Sequence, residues 1–104
     1  MRSPTATTKQ PQIHAAIAEV VREMTPAVQR IDYEIAQDWT GEWAIFFKVL
    51  LSNEASKRTR LRSVAPRVVR RMSDNLDLPT LGLIPYFDFR SQAEEDKLKE
   101  PARA

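Results

Sequence analysis

The nine residues from Trp43 to Leu51, WAIFFKVLL, constrain the fold of this chain more than any other stretch. They are rich in aromatic and β-branched side chains, which pack well on a pleated strand. Side chains along a strand point alternately to its two faces. Here the odd positions (Trp43, Ile45, Phe47, Val49, Leu51) are wholly apolar, and among the even ones (Ala44, Phe46, Lys48, Leu50) only Lys48 is polar. A strand apolar on both sides belongs in the middle of a sheet, or beneath cover on each face. The rest of the chain must therefore supply neighbours for it.

Two further strands are legible. Ile31, Tyr33 and Ile35 alternate with Asp32 and Glu34, the period-2 pattern of a half-buried strand. Asp38-Trp39-Thr40-Gly41-Glu42 then reads as a turn, with Gly41 free to take a positive φ, so the first two strands form an antiparallel hairpin. Residues Leu83 to Arg90 alternate again. Pro85 cannot donate to a ladder, which puts this strand at an edge or the proline at its start.

Elsewhere the period becomes that of a helix. Ile13, Ala16, Ile17, Val20, Val21 and Met24 form one apolar stripe, opened by Pro11 and ended by Pro26. Leu61, Val64, Ala65, Val68, Val69, Met72 and Leu76 form a second. Pro66 interrupts it, and two forms fit: a kinked helix, or a break with the main helix capped near Ser63. Asp74 to Gly82 reads as a connection. Ser91-Gln-Ala-Glu94 has the form of a capping box and opens a short polar helix to about Lys99, closed by Pro101. The expected fold is α+β, in the order αββαβ(α): a three-stranded sheet with two amphipathic helices on one face and a short C-terminal helix. Residues 1–10 are expected to be a flexible arm, 11–100 a single domain and 101–104 a tail.

The inventory for catalysis is thin. Cys is absent, His14 is the one histidine and there are two glycines, so the usual zinc sites, thiol chemistry and glycine-rich phosphate loops have no residues to build them. Asp32, Glu34 and Asp88 share a strand parity and could gather Mg²⁺, but Lys48 and Arg90 share it too, and cross-strand ion pairing explains the pattern more simply. The expectation is a non-enzyme without cofactor, metal or small-molecule substrate. No apolar run reaches the roughly 20 residues of a membrane span, and the polar start lacks the apolar stretch of a secretory signal. A soluble cytoplasmic protein is expected.

Strand parity points to a working surface. If the two helices cover the Ile31, Phe47 and Phe87 side of the sheet, the other side carries Phe46, Lys48, Leu50, Ile84, Tyr86 and Arg90. Aromatic and aliphatic residues ringed by charge make an interaction patch, unless the N-terminal arm or the C-terminal helix folds over it. The leading expectation is a small interaction module, an accessory or antitoxin-like subunit that binds a partner protein or itself as an oligomer through these residues. The alternative is RNA binding. Seven basic residues and no acidic one lie between Lys57 and Arg71, so Arg58, Arg62, Arg67, Arg70 and Arg71 could contact phosphates. The αββαβ order resembles the type II KH architecture of small ribosome-associated factors, which would imply RNA as the ligand. Where KH domains carry a Gly-x-x-Gly clamp, this stretch reads Arg62-Ser63-Val64-Ala65-Pro66.

Overall fold

The computed structural model describes residues 9–99. Most of the expected N-terminal arm, the closing Pro101 and the tail lie outside them. In chain order the elements are α1 (Gln10–Met24), β1 (Val28–Gln37), β2 (Trp43–Leu51), α2 (Arg58–Asn75), α3 (Leu78–Leu81), β3 (Ile84–Ser91) and α4 (Gln92–Lys99). The sheet order is β1-β2-β3, with β1 antiparallel and β3 parallel to β2. The strand that is apolar on both faces is thus the central one, as its pattern requires. Pro85 sits second in an edge strand, where its missing N–H costs little.

Both long helices cover one face. Ile13, Val20, Val68 and Met72 pack into one cluster with Ile45, Phe47, Val49 and Leu51, the odd positions of β2. Val28 joins this core although its parity is even. A bulge between Val28 and Arg30 sets the extra residue aside and returns Val28 to the side of Ile31.

Helix α2 runs unbroken through Pro66, which settles the two forms in favour of a continuous helix. Pro66 and Arg62 are both exposed, so water can satisfy the carbonyl that the proline leaves without a donor. The expected connection after α2 contains a single helical turn, α3. Asp77 caps it by accepting from Thr80 N, and Gly82 ends it at φ 74°, with Gly82 N donating to Pro79 O and Leu83 N to Leu78 O. The capping box before α4 is formed in both directions: Glu94 N donates to Ser91 Oγ at 3.0 Å and Ser91 N to Glu94 Oε1 at 3.3 Å.

Candidate functional site: the outer face of the sheet

The pairing registers lay the outer face out in rows across β1, β2 and β3. From the hairpin end these are Ala36–Ala44–Ile84, Glu34–Phe46–Tyr86, Asp32–Lys48–Asp88 and Arg30–Leu50–Arg90. The face divides into two halves with different cover.

At the hairpin end the aromatic rings form a ladder. Phe46 and Tyr86 stack at a centroid distance of 5.1 Å, and Trp39 tilts onto Tyr86 at 5.5 Å. The turn that presents Trp39 is organised by Asp38. Its Oδ1 accepts from Thr40 N, Thr40 Oγ1 and Glu42 N at 2.9, 2.6 and 3.1 Å, and Gly41 completes the turn at φ 87°. Its Oδ2 accepts from the Tyr86 hydroxyl at 2.8 Å, tying the hairpin to β3. These bonds, the Thr40 hydroxyl first, hold the Asp38 carboxyl below its ordinary range, while the same carboxylate raises the Tyr86 phenol. Trp39 is 80% exposed and Ile84 40%.

At the other end α4 folds back across the face. Glu95, 7% exposed, places its carboxylate 3.6 Å from Arg30 Nη2 and 3.9 Å from Arg90 Nη1, the two residues in register with Leu50 on either side. Asn53 Oδ1 accepts from Ala93 N at 3.0 Å and anchors the helix start. Leu50, expected to stand open as a docking anchor, is therefore buried, at 5% exposure. That expectation is corrected: the C-terminal helix covers this row.

Of the other expected residues, Phe46, Lys48, Tyr86 and Arg90 are half-buried on this face and Ile84 is exposed. Arg90 bonds Asp88 at 2.9 Å, and Arg30 bonds Asp32 at 3.0 Å. The pairing thus runs along each strand instead of across to Lys48, which has no ion pair among the described residues although it lies between Asp32 and Asp88. A hollow of about 300 Å³ opens here, lined by Asp32, Glu34, Phe46, Lys48 and Asp88 among others. Its carboxylates do not converge; among the described residues no three acidic or histidine groups could hold a metal ion. His14 lies on the helix side, its Nε2 3.0 Å from the Tyr33 hydroxyl. Trp39 is the residue that the sequence reading passed over, as one member of a turn.

On α2, Arg58, Arg62, Arg67 and Arg70 are exposed and have no ion pair among the described residues. Arg71 is bonded to Glu23 of α1 at 2.8 Å and serves to hold the two helices together.

Fold and face define a small α+β domain whose two long helices bury the central strand on one side of the sheet, while α4 covers part of the other. No known protein family matches the chain, and none of the curated proteins is similar to it. Among solved structures it is similar to the metal-bound C-terminal domain of the CzcD transporter from Cuprividus metallidurans. The identity is 17% and the TM-score 0.47, over 74% of this chain and 94% of that one. Similarity at that level extends neither metal binding nor transport to this chain. No described helix is long and apolar enough to cross a membrane.

Proposed function

We propose that the chain is a small, non-catalytic interaction module that binds a partner protein, or a second copy of itself, through the hairpin half of its outer sheet face. One observation supports this above the rest: Trp39, Tyr86 and Phe46 form a continuous aromatic ladder whose outermost ring is 80% exposed. Large aromatics are the residues that most often anchor protein interfaces, because they bring much apolar area with few rotatable bonds. A contiguous exposed apolar patch rimmed by charge is the usual form of such a surface.

The test is Trp39→Ser, at a side chain that stands largely in water, alongside the double change Phe46→Ser with Tyr86→Ser. Sedimentation across a concentration series reads self-association, and affinity capture with the tagged chain reads a partner. Both variants should lose the association while retaining the circular dichroism of the folded domain. Association at wild-type strength in both would refute the proposal.

A second reading rests on the unpaired arginines. RNA could lie along α2, with Arg58, Arg62, Arg67 and Arg70 on phosphates. A mobility shift at low salt, removed by Arg67→Glu with Arg70→Glu, is its expected result; no shift at low salt rejects it.

A further inference from the structure

The charges of this chain are segregated to a degree that its net charge of +2 conceals. From Ile31 to Phe47 there are four carboxylates (Asp32, Glu34, Asp38, Glu42) and no basic residue. The acidic stretch is the turn end of the hairpin, the part that carries the aromatic ladder; Lys48, one row further along the face, is the first cation beyond it and lines the same hollow as Glu34. The facing strand adds no cation at this end, since Leu83 to Phe87 is uncharged.

The carboxylates differ in what they are free to do. Asp38 is taken up by the turn and by Tyr86. Asp32 is bonded to Arg30. Glu34 stands in one row with Phe46 and Tyr86, and Glu42 flanks the turn that holds Trp39; both are exposed, and neither has an ion pair among the described residues. Two unpaired carboxylates thus lie beside a ladder of aromatic rings. A ring face attracts a cation through its quadrupole, and a nearby carboxylate adds a direct charge partner. An anionic partner would meet repulsion at the same place, which is how such surfaces reject wrong partners.

We infer that the hairpin end of the outer face receives a cationic segment of a partner protein, with its guanidinium or ammonium groups set between Glu34 and Glu42 and against the rings of Trp39 and Phe46. This deepens the reading of the face as a docking surface and rests on it. The chain as a whole is basic, so attraction of a polycation must come from this local surface and not from net charge.

The experiment uses the full chain with a short labelled arginine–alanine peptide, and a glutamate–alanine peptide as its counterpart, followed by anisotropy. The arginine peptide should bind, more weakly as salt rises, and the glutamate peptide should not. Glu34→Gln with Glu42→Gln should weaken binding by about three- to tenfold, the size expected for two rim ion pairs. Trp39→Ser should weaken it by about thirtyfold, as for an anchor residue. If the chain also self-associates at low salt and the double glutamine variant abolishes that, the cationic segment includes α2 of a second copy, and the inference stands. Absence of peptide binding, or binding indifferent to both variants, overturns it. The docking face itself is judged separately, because the Phe46 and Tyr86 double change reads association without any assumption about the partner's charge.

Discussion

Replacing Glu95 with Ala isolates what holds α4 on the sheet. The carboxylate lies 3.6 and 3.9 Å from two guanidinium groups. At an effective dielectric constant near 20, each such pair attracts by about 4 kcal/mol before desolvation is counted. Withdrawing Glu95 from water offsets much of that gain. Arg30 and Arg90 also retain Asp32 and Asp88 when Glu95 is removed, so neither becomes an orphaned charge, and the loss stays below the roughly 3–5 kcal/mol of a broken buried pair. The net loss should be about 1–2 kcal/mol. A helix of eight residues has no stability of its own, so the loss falls on its docking and not on the core. Hydrogen exchange should read this directly: amides of α4 should exchange about five- to thirtyfold faster, and those of β2 at their former rate. Leu50 should become accessible at the same time. An unchanged α4, or equal loss of protection in β2, would refute the idea that α4 is a separately held cover clasped by Glu95.

Three other outcomes follow from the geometry. Asp38→Asn should bring the ionisation of one of the two tyrosines, Tyr86, down towards the ordinary phenol value, while burial keeps Tyr33 raised; an unchanged ultraviolet titration contradicts the Asp38–Tyr86 bond. The same bond should matter at both ends of the pH scale. Asp38 has a depressed folded pKa, so its contribution is present above the ordinary carboxylate range and lost as pH falls through the folded value, whereas that of Tyr86 is present below the ordinary phenol value and lost as pH rises through its raised one. Phe47→Ala, at a side chain 1% exposed and stacked on Phe87, should cost about 3–5 kcal/mol in a denaturant titration, and a loss below about 1 kcal/mol would mean that the core is centred elsewhere.

The three strands, both long helices and the capping box were legible in the sequence because each is written in local period and local punctuation. The central place of β2 was legible too, since its two apolar faces demand it. What escaped depends on residues far apart in the chain. Cover of the face by α4 could be foreseen, but which row it covers rests on Glu95 reaching Arg30 far back in the chain as well as the nearby Arg90, and no local pattern encodes the distant meeting. Phe46 and Tyr86 were placed correctly on one face by parity, but the link from Tyr86 to Asp38 spans 48 positions. Trp39 escaped because a turn tip is read for its backbone, and its exposure depends on where Tyr86 lies. The bulge that returns Val28 to the core shifts parity by one, which the alternation from Ile31 to Ile35 cannot announce. Pro66 was ambiguous because a helix interior with solvent beside the freed carbonyl tolerates what propensity alone would forbid.

Hydroxyl-radical footprinting of the chain, free and in its complex, puts the proposed docking surface to the most direct trial. Trp39 is the most reactive probe on the hairpin half of the face, and in the complex its oxidation rate should fall sharply, with Phe46 and Tyr86 following. Protection confined to α2, with Trp39 oxidised as fast as in the free chain, would place the contact on the opposite side of the molecule and contradict the account.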